Sequence, residues 1–244
     1  SRYMGDPKFY EVPIKKIISK DRAKILANEI NKTSVTPADE LNPDSLFNEG
    51  ENTTHYSIID KDGNAISNTY TLGYSFGSGV TIPGTGILLD NQMNNFAYEY
   101  GNPDVIDRTA SIGNKFEPGK RPMSTMTPII MFDENNALKL ISGSPGGALI
   151  PAAVLRVITG LIDFNLNIGE ATMLPRLHKD WPYETLRIEK NFSIDTLEIL
   201  KSYGHELEDS KTMGSTQSIY ISSKGNEGFS DLRRPNAGVA IQID

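Results

Sequence analysis

The feature that most constrains this 244-residue chain is an abrupt change of character at Thr53. Residues 33–52 are rich in Asn, Asp, Glu, Ser and Pro, the composition of an exposed loop. Immediately after them come two strand-like runs, 54–59 and 65–72, separated by Asp60-Lys61-Asp62-Gly63-Asn64, which reads as a hairpin turn. The first residues after the loop must therefore be held rigidly by a strand, while those just before it are not. A hydroxyl at such a boundary has a specific chemical use. If the chain is cut before Thr53, its freed α-amine can serve as general base to its own side-chain oxygen. Threonine also favours strand starts for packing reasons alone, so the pair Thr53-Thr54 does not by itself distinguish the two readings.

Elsewhere the pattern alternates between strands and helices. Residues 21–32 carry Ala23, Leu26, Ala27 and Ile30 at helical spacing, with Asp21 placed to cap the start. A glycine-rich stretch, 73–86, leads to an apolar strand at 87–89. Residues 127–132 and 138–142 read as a strand pair. Gly146-Gly147 open a long apolar helix over about 148–164, followed by helices at 168–173 and 193–203. Strands are expected at 218–222 and 238–243, with a turn at Lys224-Gly225-Asn226. Strands, then helices, then strands, joined by hairpins rather than repeated βαβ units, predict an α+β domain of packed sheets covered by helices.

Bulk properties exclude several classes. With 24 basic against 31 acidic residues the net charge is −7, and no Lys/Arg-rich run offers phosphate contacts, which argues against a nucleic-acid partner. The chain has no cysteine, hence neither disulfides nor thiolate metal sites. His55, His178 and His205 lack metal-ligand spacing, so neither metal nor cofactor is expected. The longest apolar stretch, 148–162, is interrupted by Pro151 and Arg156 and falls short of a membrane span.

A series of short blocks runs collinearly from Thr53 towards the end of the chain. They are Thr53-Thr54-His55-Tyr56-Ser57, the 60–65 turn, Thr69-Tyr70-Thr71-Leu72, Phe76-Gly77-Ser78-Gly79, Gly86-Ile87-Leu88-Leu89 and Asn91-Gln92-Met93. Residues 118–126, Gly143-Ser144-Pro145-Gly146-Gly147 and 213–218 continue them. This series resembles the small subunit of the γ-glutamyltranspeptidases, and residues 1–52 resemble the end of that family's large subunit.

The resemblance implies an N-terminal nucleophile hydrolase fold, a four-layer αββα sandwich of which this chain supplies about half. It implies two units, 1–52 and 53–244, separated by self-cleavage between Asn52 and Thr53. It also implies a γ-glutamyl transferase and hydrolase acting on glutathione-like amides through an acyl-Thr53 intermediate, with water, an amino acid or a peptide as acceptor. The partner is the large subunit of the same precursor, and the location is periplasmic or secreted. Site roles follow position by position. Thr53 is the nucleophile and Thr71 bonds its amine, while Gln92 and Asn95 face the substrate's α-amino group. Ser124 and Thr125 bind the α-carboxylate, and Gly146 and Gly147 form the oxyanion hole. His178, Trp181, Arg187 and Glu189 are given structural roles.

Three departures qualify the resemblance. Asn95 stands where the glutamyl enzymes usually carry Asp, and Gly73 where they tend to carry Asn or Ser. Most of the large subunit, including its carboxylate-clamping Arg, has no counterpart, so the chain reads as part of a longer precursor. The neutral amide at position 95 keeps open a related acylase acting on glutaryl-type amides or poly-γ-glutamate. An inactive fragment lacking its partner stands as a further alternative.

Overall fold

The computed structural model describes residues 4–41, 53–97, 111–180 and 183–242. Asn52 and Trp181 lie outside the described residues. The N-terminal stretch carries a single helical turn, α1 (Ile14–Ile17), and then α2 (Lys20–Glu29). The cap of α2 is Ser19, whose Oγ accepts from Arg22 N at 3.2 Å, and Asp21 sits in the first turn instead. The helix stops at Glu29, three residues short of the expected end, because Ile30 is extended and Asn31 Oδ1 takes up the N–H groups of Thr33 and Ser34. A side chain that satisfies backbone donors locally competes with continuing the helix.

Strands β1 (Thr53–Ile59) and β2 (Ala65–Thr71) form the expected antiparallel hairpin, with Thr53 opposite Thr71 and Ile59 opposite Ala65. The turn is set by Asp60, whose Oδ1 accepts from the N–H groups of Asp62 and Asn64. Strands β3 (Ile129–Phe132) and β4 (Leu138–Gly143) pair as expected. Helix α3 (Ile150–Ile162) follows a 3₁₀ turn at Gly147–Leu149, and α4 (Ile168–Met173) begins with a capping box between Asn167 and Glu170.

Four strands fall where sequence predicted none: β5 (Leu177–His178), β6 (Thr185–Ile188), β7 (Glu206–Asp209) and, near the end, Gly225–Ser230. Strands β6 and β7 are parallel, with α5 (Ile194–Ser202) between them. One βαβ unit is therefore present, a correction to the hairpin-only expectation. Strands β8 (Gln217–Ser222) and β9 (Gly225–Ser230) complete a four-stranded sheet of order β3-β4-β8-β9.

Two expected strands do not form. Residues 87–89 make only an isolated bridge, Leu88 to Thr81, because Gly77, Gly79, Gly84 and Gly86 all turn through positive φ and break the ladder into tight bends. Residues 238–242 carry no strand; Val239 and Ile241 are exposed there, and nothing among the described residues pairs with this segment.

The layers can be read from side-chain alternation. Leu140 of β4 joins Val157 and Leu161 of α3 and Ile168 and Ala171 of α4 in the core, with Tyr220 and Phe229 against it. The helices thus cover one face of the four-stranded sheet. On the other face lies the β1–β2 hairpin, packed against β4 and β8. Its approach is close: Ser57 Oγ donates to Gln217 O at 2.8 Å, and Ser67 Oγ donates to Ser142 O at 2.9 Å.

The hairpin inverts the usual pattern. Thr53, His55, Ser57, Ser67, Thr69 and Thr71 point inward, whereas Tyr56, Ile58, Ile66 and Tyr70 are exposed on the outer face. A sheet face that turns its apolar side chains to solvent and its hydroxyls to the interior is built to be covered.

Candidate active site

Thr53 heads β1 with only 7 % of its surface exposed. Its carbonyl oxygen accepts from Arg234 Nη1 at 2.8 Å, so a residue near the far end of the chain holds the first peptide group of the strand. Two residues on, the buried His55 is bonded through both ring nitrogens, Nδ1 to Thr69 Oγ1 at 2.7 Å and Nε2 to Ser57 Oγ at 3.1 Å. The Ser57 hydroxyl already donates to Gln217 O, so it accepts from Nε2–H, and Nδ1 accepts from Thr69. The network therefore selects the neutral Nε2–H tautomer. Burial lowers the His55 pKa to about 4, in keeping with a neutral ring. The backbone of Gly143 lies flat against this ring: a Cβ there would sit 2.2 Å from His55 Cε1. His55 is thus an interior spacer between the hairpin and β4, not a metal ligand. Among the described residues no group of three or more His, Asp or Glu side chains is placed to hold a metal ion.

From Thr71, the register partner of Thr53, a line of hydrogen bonds runs through Gln92 and Asn95 to the residue before Ser124. Thr71 Oγ1 accepts from Gly73 N at 2.9 Å, and Thr71 O accepts from Gln92 Nε2 at 3.4 Å. Gln92 Oε1 accepts from Asn95 Nδ2 at 2.7 Å. Asn95 O accepts from Asn114 Nδ2 at 2.6 Å, and Asn114 Oδ1 accepts from Met123 N at 2.8 Å. Next to Met123 stand Ser124, whose Oγ accepts from Met126 N at 3.2 Å, and Thr125. The 3₁₀ turn at Gln92–Asn95 is what brings the first two amides together, since residues three apart face each other in such a turn. Asn114 has no exposed surface and, unlike Thr71, Gln92 and Asn95, was not singled out by sequence reading. An Asn within Ile-Gly-Asn-Lys carries no local signal of its role.

Gly146 and Gly147 lie apart from that line, in the loop between β4 and α3. Both are buried, with φ of 132° and 55°, values that side chains with a Cβ rarely adopt. The Gly146 carbonyl accepts from Leu149 N at 3.0 Å, so the turn leads directly into the helix. The segment packed on them is held from beneath. Ser144 Oγ accepts from Ser215 N at 2.9 Å, and Gly214 lies against Gly146 so closely that a Cβ on Gly146 would meet Gly214 Cα at 3.1 Å. The 213–216 segment is in turn fixed by a buried ionic cluster. Glu189 accepts from Met213 N and from Arg233, Asp231 Oδ2 accepts from Thr216 N, and Arg176 bridges Asp231 and Met213 O. The structural role expected for Glu189 has its physical basis here. His178 and Arg187 both bond Asp180, at 2.7 Å each, on the three-stranded sheet.

A cleft of about 290 Å³ is lined by Thr54, His55, Ser57, Pro145, Ser215 and Arg234 among others, and by none of the expected site residues. The expected site residues thus fall into two groups. Thr53, Thr71, Gln92 and Asn95 are tied together through register pairing and hydrogen bonds, and Asn114 continues the line to Met123, the chain neighbour of Ser124 and Thr125. Gly146–Gly147 are presented by β4, the strand on which the hairpin packs.

The chain is similar to known proteins. The family model for gamma-glutamyltranspeptidase matches residues 1–241. The glutathione hydrolase proenzyme of Escherichia coli strain K12 is 42% identical over 235 residues, covering 96% of this chain and 40% of that protein. The glutathione hydrolase proenzyme of Bacillus subtilis strain 168 is 30% identical over 259 residues, covering 99% of this chain and 42% of that protein. The chain therefore spans about two-fifths of the length of these relatives. Among solved structures, a mutant gamma-glutamyltranspeptidase of Helicobacter pylori superposes with a TM-score of 0.66 at 40% identity, covering 74% of this chain and 100% of that one. A cephalosporin acylase from Bacillus halodurans superposes with a TM-score of 0.74 at 26% identity, covering 95% of this chain and 40% of that one. The expected α+β fold of N-terminal nucleophile hydrolases is the one these structures share with it. With a family model matching residues 1–241 and relatives up to 42% identical, the chain belongs to the gamma-glutamyltranspeptidase family.

Proposed function

We propose that this chain supplies the catalytic part of a γ-glutamyl transferase and hydrolase acting on glutathione-like amides. Residues 1–52 form the end of one subunit and residues 53–244 the other, released by self-cleavage at Asn52–Thr53. The observation that carries this reading is the line from Thr71 through Gln92 and Asn95 to Asn114 and Met123, which links the strand pair headed by Thr53 to the Ser124–Thr125 loop.

In the processed enzyme the α-amine of Thr53 takes the proton from its own Oγ1, and that oxygen attacks the γ-carbonyl carbon of the donor. The negative charge that develops on the carbonyl oxygen faces the peptide N–H groups of Gly146 and Gly147. Collapse breaks the C–N bond, and the departing amine receives the proton held by the α-amine. The acyl ester on Thr53 then passes to water or to an amino group by the same steps in reverse. Ser124 and Thr125 suit an α-carboxylate because hydroxyls donate to an anion without adding charge.

The remainder of the precursor is the proposed partner. It would cover the apolar outer face of the β1–β2 hairpin and complete the layers that this chain leaves open. A periplasmic or secreted location follows from the same family reading. No helix among the described residues is long and apolar enough to cross a membrane.

A second reading rests on Asn95. Its Nδ2 is directed to Gln92 Oε1, and a neutral amide offers no anion to an α-ammonium group. A preference for glutaryl-type amides, or for poly-γ-glutamate, is the chemistry that this substitution favours. The decisive experiment uses the full-length precursor. Intact mass after purification should show a break before Thr53, and quenched turnover with a γ-glutamyl anilide should leave the acyl group on Thr53. An acyl group on another side chain would overturn the proposal.

A further inference from the structure

Residues 4–10 lie before the cleavage point, yet they are built into the back of the donor-binding elements. Asp6 is the anchor. Its side chain is 1 % exposed and accepts four hydrogen bonds, from Lys8 N at 3.1 Å, Arg121 N at 3.0 Å, Arg121 Nε at 3.0 Å and Arg121 Nη2 at 2.8 Å. Three of the four come from Arg121, three residues before Ser124. The paired guanidinium and the peptide N–H hold both the position and the orientation of that loop.

The same segment seats Asn114. Gly5 abuts Gly113, where a Cβ would fall 2.2 Å from Gly113 O, and Gly113 abuts the Tyr10 ring, at 2.5 Å from a would-be Cβ. Asn114, thus backed, spans from Asn95 O to Met123 N. One buried amide therefore sets the separation between the Gln92–Asn95 turn and the Ser124–Thr125 loop. Asp6 pins the far side of that loop. Neither residue touches the reacting atoms.

We propose that Asp6 and Asn114 are positioning residues for acyl-donor recognition, a strut through which the segment preceding Thr53 sets the geometry of the α-amino and α-carboxylate subsites. After cleavage the strut joins two separate chains, so donor affinity depends on the first subunit's tail remaining seated. The inference rests on the proposed assignment of Gln92, Asn95, Ser124 and Thr125 to the donor.

The test is a KM-against-kcat split in the full-length, self-processed protein. Asp6→Asn removes the charge and keeps the shape; Asn114→Asp replaces the donor to Asn95 O with an oxygen. Each should raise KM for a γ-glutamyl anilide about 10-fold, the equivalent of about 1.4 kcal/mol in binding, with kcat and the rate of cleavage at Thr53 within about 3-fold of the parent. Arg121→Lys alters an exposed side chain and preserves folding should the buried variants not fold; it should raise KM about 3-fold in the same pattern. Unchanged KM in correctly folded Asp6→Asn and Arg121→Lys proteins would overturn the strut. So would a parallel fall of kcat, cleavage and melting temperature, which marks a merely structural role. Failure of the parent enzyme to acylate Thr53 would instead remove the functional reading beneath it.

Discussion

Arg234 donates from Nη1 to the carbonyl oxygen of Thr53 at 2.8 Å, joining positions 181 residues apart. The bond fixes the first peptide plane of β1, and with it the direction in which the Thr53 amine and hydroxyl face. A charge-assisted hydrogen bond contributes about 1.5–3 kcal/mol, with the low end fitting an exposed donor such as this. Arg234→Met should lower kcat about 10-fold with a smaller change in KM, and Arg234→Lys should restore part of the loss. Steady-state kinetics on the processed protein check this.

Thr53 has two tasks in the proposed chemistry, and one hydroxyl serves both. Thr53→Ala should leave the precursor uncut and without acyl transfer. Thr53→Ser keeps a hydroxyl and should retain some of each. Intact mass and anilide turnover, measured on the same samples, read the two effects together. An Ala variant that is still cut between the same two residues would separate the tasks and contradict the scheme.

The His55 ring and the Gly143 backbone are in direct contact, and no side chain fits between them. Gly143→Ala forces a Cβ to within 2.2 Å of Cε1 unless β1 and β4 move apart. Overpacking of this kind costs about 1–3 kcal/mol. Chemical denaturation should show that loss, with activity falling as the hairpin shifts. The double variant His55→Ala/Gly143→Ala should recover part of the stability by emptying the space.

Acid stability follows from two groups with separate windows. His55 has its pKa lowered to about 4 by burial, against an ordinary value of 6.5. Below 6.5 the unfolded chain takes up a proton that the folded one refuses, so stability falls as pH drops from 6.5 towards 4, by on the order of 2 kcal/mol. Asp6 acts lower. Its hydrogen bonds from Arg121 hold the carboxyl well below the usual carboxylate range, so its contribution is intact above about pH 4 and is lost on further acidification. Urea unfolding at pH 7, 5.5 and 4.5 should trace the first slope, and His55→Gln should flatten it.

Asn95→Asp places an anion where the amide now contacts Gln92. If the donor's α-ammonium lies there, the ratio of kcat/KM for a γ-glutamyl anilide over its glutaryl counterpart should rise about 10-fold, the effect of adding one partly buried ion pair. An unchanged ratio would place the α-ammonium elsewhere and remove the support for the acylase reading.

How much of this was legible without coordinates depends on the range of the interaction. The β1–β2 hairpin, the helix α4 and the Ser193 start of α5 are local: turn residues, capping side chains and apolar spacing lie within a few positions of one another. Thr53, Gln92, Ser124 and Gly146-Gly147 were named because their short blocks resemble a known family, not because any period or composition singled them out. The misjudged elements share a cause. Residues 87–89 and 238–242 have strand composition, but composition does not supply a pairing partner. Residues 206–209 carry little strand signal, yet pair in parallel with β6 once α5 returns the chain.

Sequence alone determined the family and the start of the first hairpin strand at Thr53, since each is written in contiguous stretches. Only the tertiary structure decided that Arg234 would hold Thr53, that His55 would lie neutral against Gly143, and that Asp6 would pair with Arg121 and Asn114 with Asn95. Those contacts join residues as far as 181 positions apart, and their strength comes from burial and direction, which a linear order of residues does not contain.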